Sequence, residues 1–178
     1  MRMVCNFGYY DSIEPVKGNK YYLKWAAMIQ RCYDTKHQID CPTYIGVTIC
    51  DDWRFYSKFK IWMESTDWQG KELDKDILVI GNKIYSPDTC CFVSKSLNNF
   101  FKPRMSNAGS LPQGVSKNKK RFSAKVRIDK KEFYFGTFDT IQQAEDAYLL
   151  GKLDALKYFI SIETNDKVLK ALNNRLNL

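Results

Sequence analysis

RFSAKVRI, residues 121–128, alternates apolar and polar side chains without a break. In an extended chain Phe122, Ala124, Val126 and Ile128 point one way, and Arg121, Ser123, Lys125 and Arg127 point the other. A strand of this kind needs neighbours, and the flanking residues supply them. Gly114-Val115-Ser116 begins a short strand and Asn118-Lys119-Lys120 makes a turn. On the far side Asp129-Lys130-Lys131 turns the chain, and Glu132–Gly136 returns as a third strand. Thr140 and Gln143 have the spacing of a capping box, which predicts a helix from Ile141 to about Phe159. Ala144, Ala147, Tyr148 and Ala155 would pack on the apolar side of the sheet. The expected class is α+β, with a three-stranded antiparallel sheet braced by one long helix over residues 114–160.

The polar side of that sheet carries the charge. Between Gly114 and Phe138 there are eight basic residues and two acidic ones, an excess of +6. A solvated strand face is the plain explanation. Three cations at period two on one strand, however, repel one another and need a counter-charge. A twisted sheet face fits the major groove of DNA, where Arg reads guanine and Lys neutralises phosphate. The candidate contacts to double-stranded DNA are Lys117, Lys119, Lys120, Arg121, Ser123, Lys125, Arg127, Lys130, Lys131 and Tyr134.

The whole chain is consistent with a polyanionic partner. It has 178 residues and a net charge of +8, from 28 basic and 20 acidic residues. Hydrophobic content of 44% and aromatic content of 15% supply a packed core and exclude a wholly disordered chain. Residues 1–6 have no apolar leader region and no stretch approaches a membrane span, so a cytoplasmic protein is expected, with no membrane partner. Two prolines, a glycine and small polar residues mark 103–113 as a linker.

Residues 1–102 have a different pattern. Tyr22, Trp25, Ala26, Ile29, Cys32 and Tyr33 recur at helical spacing and predict a helix over Tyr21–Tyr33. Tyr44–Cys50 reads as a strand. Asp52–Met63 reads as a second helix, with Trp53, Tyr56, Phe59 and Trp62 or Met63 on one stripe destined for the core rather than for stacking on bases. In LDKDILVIGNKIYSPDTCCF, residues 73–92, charged Asp74-Lys75-Asp76 runs into an apolar stretch and a Gly81-Asn82 turn, which predicts a hairpin. A helical start follows at Ser94–Asn99.

All six cysteines lie in the first 91 residues, and no CxxC pair exists. Cys32, Cys50 and Cys90, with His37 or Cys41, have the residue types for a closed Zn2+ site. Burial as small hydrophobes is the alternative.

Two resemblances join these pieces. Residues 114–159 resemble the APETALA-two/ethylene-response-factor-type DNA-binding domain. The signs are Gly114-Val115, Arg121-x-x-Ala124, Gly136-Thr137-Phe138-Asp139-Thr140 and Ala144-x-x-Ala147-Tyr148. The characteristic tryptophans of the plant domain are missing. The first half resembles phage and prophage HNH-type (His-Asn-His) endonucleases. That likeness rests on Trp25-x-x-Met28-x-x-Arg31-Cys32-Tyr33, Val47-x-x-Cys50-x-x-Trp53, Leu73-Asp74-Lys75-Asp76-Ile77 and Gly81-Asn82-Lys83-x-Tyr85-Ser86-Pro87-x-Thr89-Cys90. It implies a ββα finger, Mg2+- or Mn2+-dependent DNA cleavage, and a phage-encoded protein in a bacterial cell.

The resemblance also implies a histidine base, but Lys75 occupies that position and His37 is the only histidine. A protonated lysine is a poor base. The candidate catalytic residues are Asp74, Lys75, Asp76 and His37, with Asp74, Asp76, Asn82 and Asn98 as ligands of the divalent ion. The alternative is a scaffold that binds DNA, or a host factor, without cutting. Finally, Val168, Leu169, Leu172 and Leu176 give residues 161–178 the pattern of an amphipathic helix with Asp166 as cap. That helix would fold back on its own domain or form a homodimer.

Overall fold

The computed structural model describes residues 2–102, 111–128 and 131–176. Its architecture is α+β, in two units that divide between Ser94 and Lys95.

The first unit opens with an antiparallel pair, β1 (Arg2–Val4) and β2 (Gly8–Tyr10), which the sequence pattern did not announce. Its turn places Cys5 and Asn6 at φ 50° and 52°, a left-handed backbone that glycine usually signals. Helix α1 (Lys20–Tyr33) starts where Asn19 Oδ1 accepts the Tyr22 N–H at 3.0 Å. It buries Trp25, Met28, Ile29 and Cys32, as its periodicity predicts. Helix α2 (Thr35–Asp40) carries His37.

The strand expected over Tyr44–Cys50 is confined to β3 (Thr48–Ile49), because a 3-10 turn occupies Pro42–Tyr44 and Gly46 bends the chain at φ 75°. The helix expected over Asp52–Met63 is also broken. A 3-10 turn covers Asp51–Arg54 and α3 covers Tyr56–Glu64. The break has a hydrogen-bonding cause. A continuous helix would join the Ser57 N–H to the Trp53 carbonyl. Here the Ser57 N–H donates to Asp11 Oδ1 at 2.8 Å, and the Trp53 carbonyl accepts the Trp25 indole N–H at 2.8 Å. The aromatic stripe is core, as expected, with Trp53, Tyr56, Phe59 and Met63 all buried and Met63 rather than Trp62 closing it.

Strands β4 (Glu72–Asp74), β5 (Ile84–Tyr85) and β6 (Cys91–Val93) follow. β4 pairs antiparallel with β6, Leu73 opposite Phe92, so the two ends of the 73–92 stretch do meet. The interior departs from the expected hairpin: β5 pairs in parallel with β3, and Ile77–Ile80 form no ladder.

The second unit begins with α4 (Lys95–Phe101), a helix that the sequence grouped with residues 1–102. It belongs here because the Phe100 ring packs, tilted, with its centre 5.1 Å from that of Phe159, and the Arg175 guanidinium lies 4.6 Å from the Phe101 ring. β7 (Val115–Asn118), β8 (Arg121–Ile128) and β9 (Lys131–Phe138) form the expected antiparallel sheet in the order β7-β8-β9. α5 (Ile141–Ile162) starts at the Thr140/Gln143 capping box. Val115, Ala124, Ala144 and Tyr148 are the centre of the small core between them. A bulge at Ala124/Lys125 leaves Phe135 unpaired, and Gly151 lets its ring lie directly against α5.

α6 (Asp166–Leu176) packs back within its unit and buries Val168, Ala171 and Leu172. Of the two placements expected for this stripe, folding back on its own domain is the one that buries Val168 and Leu172 here. Its cap is Asn165, whose Oδ1 accepts the Val168 N–H at 3.1 Å, with Asp166 in the first turn. Among the described residues, no helix is long and apolar enough to cross a membrane.

Candidate nucleic-acid interface

Cross-strand partners in a sheet share a face, so the register sorts the ten expected DNA contacts. Ser116 pairs with Ser123 and Asn118 with Arg121, on the polar side of β8. Tyr134 lies opposite Lys125, Glu132 opposite Arg127 and Thr137 opposite Ser123. The outer face thus brings together Arg121, Ser123, Lys125, Arg127 and Tyr134. Lys117 pairs with Phe122 and Lys131 with Ile128, which places both in the phase of the apolar side. Lys119 and Lys120 form the exposed β7–β8 turn, Lys119 at φ 54°. Lys130 lies outside the described residues.

The counter-charges that the spacing demanded come from the chain itself. Arg121 Nε contacts Asp139 Oδ1 at 2.7 Å, and its guanidinium donates to the Thr137 carbonyl at 3.1 Å. Lys125 Nζ contacts Glu132 Oε2 at 3.0 Å. These are solvent-facing pairs, worth roughly 0–1 kcal/mol each, and a phosphate can exchange for the carboxylate. Arg127 makes no ion pair among the described residues. Ser123 is buried and its hydroxyl hydrogen-bonds that of Ser116 at 3.0 Å, which stiffens the middle of the face rather than offering a contact. Tyr134 is 60% exposed and hydrogen-bonds the Thr137 hydroxyl. Asp139, which steadies Arg121, lies beyond the strand; the sequence marks it only as part of the Gly136–Thr140 motif.

The Asp74-Lys75-Asp76 segment is a clamped loop. Asp74 Oδ1 accepts the Asp76 and Ile77 N–H groups at 2.8 and 2.6 Å, a local turn that diverts these amides from any strand ladder. Lys75 is only 7% exposed; its ammonium donates to the Asn82 carbonyl at 2.9 Å and to Asp76 Oδ1 at 2.7 Å. The Asn82 amide answers, donating to the Lys75 and Ile84 carbonyls at 2.8 and 2.6 Å, while its Oδ1 accepts the Ile84 N–H at 3.1 Å. Burial raises the Asp74 carboxyl above its ordinary range, against the pull of its two backbone donors. Asn98 lies on α4, in the other unit. Asp74 Oδ1, Asp76 Oδ1 and Asn82 Oδ1 each accept a hydrogen bond or ion pair from within the chain.

The cysteines read as packing. Cys32 and Cys90 are each 3% exposed, and burial pushes both thiols up to about 12. Burial also raises Cys50. A metal takes the thiolate, and these surroundings favour the thiol. Among the described residues no group of three or more His, Cys, Asp or Glu side chains is placed to hold a metal ion.

His37 stands apart. Its Nε2 is shielded from solvent and has no hydrogen-bond partner among the described residues. The ring lies 5.6 Å from that of Tyr44, and the Arg31 guanidinium lies 6.0 Å from the same ring and 3.5 Å from the Tyr85 hydroxyl. Burial works against the charge on Arg31, but Tyr85, Tyr44 and Glu72 outweigh it and raise its pKa. Sequence spacing named His37 alone; α1, α2 and β5 bring its neighbours together. Compared with known proteins, the chain matches no family model, no curated protein and no solved structure.

Proposed function

We propose that the protein binds double-stranded DNA through the outer face of the β7-β8-β9 sheet. The observation that carries this reading is the register, which gathers Arg121, Lys125, Arg127 and Tyr134 on one face with Lys119 and Lys120 at its tip. Weak surface pairs hold two of the three cations ready for exchange with phosphate. The sheet-then-helix order agrees with the resemblance to APETALA-two/ethylene-response-factor-type domains. Fluorescence anisotropy of the full chain on duplex DNA across a salt series tests the reading. The logarithm of the binding constant should fall linearly with the logarithm of salt, by about 0.9 per phosphate contacted. Affinity that ignores salt, or no affinity for any duplex, sinks it.

A second reading is phosphodiester cleavage, as the HNH resemblance implies, with His37 as the base. Its Nε2 is shielded from solvent, so the segment around Tyr44 has to open before the imidazole takes a proton from the attacking water as the new P–O bond forms; the leaving oxygen is protonated by solvent as the old bond breaks. A guanidinium such as that of Arg31 offsets the charge gained by the phosphoryl oxygens. His37→Gln is then expected to abolish plasmid nicking while DNA affinity stays within about twofold of the parent, since the outer sheet face is untouched. Nicking that survives His37→Gln but is lost in Asp76→Ala would return the chemistry to the 74–76 loop.

A further inference from the structure

The edge of the sheet beside β7 is uneven. β7 begins at Val115, opposite Ala124, whereas β8 runs on to Ile128. The Lys125 N–H still donates to the Gly114 carbonyl at 2.9 Å. From there a notch of 230 Å³ opens, lined by Asn99, Phe100, Gln113, Lys125, Arg127 and Tyr148, with Gly114 and Val126. Its polar lining among the described residues is two cations and two carboxamides, and one of the cations, Lys125, is paired with Glu132 outside the lining. A third cation, Lys152, is not part of the lining but lies against two of its aromatic walls. Lys152 Nζ lies 5.2 Å from the centre of the Phe100 ring and 5.9 Å from that of Tyr148. Among the described residues Lys152 makes no ion pair, and burial lowers its pKa. A half-sheltered recess with amide donors, an Arg127 unpaired among the described residues and a lysine whose surface ion pair can exchange for another anion has the chemistry of a tetrahedral oxyanion site.

We propose that this notch seats one phosphate of a nucleic-acid backbone, with Arg127 and Lys152 supplying charge and Asn99 and Gln113 supplying neutral donors. The proposal rests on the DNA-binding reading above and adds a contact that the sheet face alone would not make. Arg127 belongs to both surfaces. The backbone would then cross from the outer face over the β8 edge, which fixes the direction in which the duplex leaves the sheet.

The test uses the full chain, duplex DNA and a salt series, with Lys152→Met, Gln113→Glu and a control, Lys157→Met. Lys157 is exposed on the same helix and pairs with Asp154, away from the notch. Lys152→Met keeps the aliphatic packing on the two rings, and its thermal midpoint should match the parent. Its affinity is expected to fall about tenfold. Its salt slope should shrink by about one contact. Gln113→Glu, which puts an acid in the recess, should weaken binding at least as much, and Lys152→Arg should restore it. A Lys152→Met slope equal to the parent's, or equal losses in Lys157→Met, overturns the notch while leaving the sheet reading intact. A parent chain that binds no duplex overturns both. Inorganic phosphate, titrated at constant ionic strength, separates the sources: competition that disappears in Lys152→Met marks a site for the anion itself. Competition unchanged in that variant counts against the notch.

Discussion

Changing Arg121, Lys125 and Arg127 together to alanine is expected to lower duplex affinity by on the order of 100- to 1,000-fold, since each charge-assisted contact contributes roughly 1–3 kcal/mol and neighbouring losses do not add fully. The salt slope should flatten by about two to three units. Two features of the face make the effect larger than the loss of three cations. Asp139 and Glu132 now neutralise Arg121 and Lys125, and once those are removed they present bare carboxylates to the phosphates. Arg127→Ala alone isolates the loss of one cation, since among the described residues its guanidinium has no ion pair and its removal bares no carboxylate; it should cost about tenfold. Lys117 and Lys131 provide the contrast. They contribute the same charge to composition but lie in the phase of the apolar side, and the Lys117→Ala/Lys131→Ala pair should cost less than about tenfold. If the triple and the double variant lose affinity equally, net charge rather than the outer face drives binding.

Gly114→Ala should be the most destabilising small substitution in the second unit. Gly114 has φ 80°, where an L side chain is strained, and a Cβ there would overlap the Tyr148 ring. That ring has little room to yield, since Tyr148 is 5% exposed against Val115, Ala124 and Ala144. Strain and overpacking together are expected to cost about 2–4 kcal/mol, lowering the midpoint of this unit's thermal transition by roughly 10–20 °C. Gly70→Ala separates the two causes. Gly70 has φ 69° but open space around its Cα, so only the conformational penalty of about 1–2 kcal/mol applies. Equal shifts from the two variants would mean that Tyr148 repacks freely and that the close approach of β7 to α5 is not a constraint.

Local pattern carried the reading furthest where structure is local. The alternation in Arg121–Ile128, the turn at Lys119-Lys120, the Thr140/Gln143 capping box and the apolar face of α1 all depend on contacts a few residues apart, and each is found in the structure. The 3-10 break at Trp53 escaped because its cause is distant: Asp11 takes one amide and the Trp25 indole takes one carbonyl. The loop after β4 escaped for a similar reason. Ile77–Ile80 has strand composition, but Asp74 and the reciprocal Lys75–Asn82 bonds tie up the backbone around it.

Spacing and composition are enough to dictate the α+β class, the sheet and its helix, the aromatic core and the sign of the charged surface. Which lysines share a face is a matter of the fold, since the bulge and register depend on pairing between strands. The same holds for the loop clamped by Lys75 and Asn82, for the stripe that α6 buries, and for Asn99 and Gln113 meeting beside Arg127. Each of these depends on side chains far apart in the chain, whose proximity no local periodicity encodes.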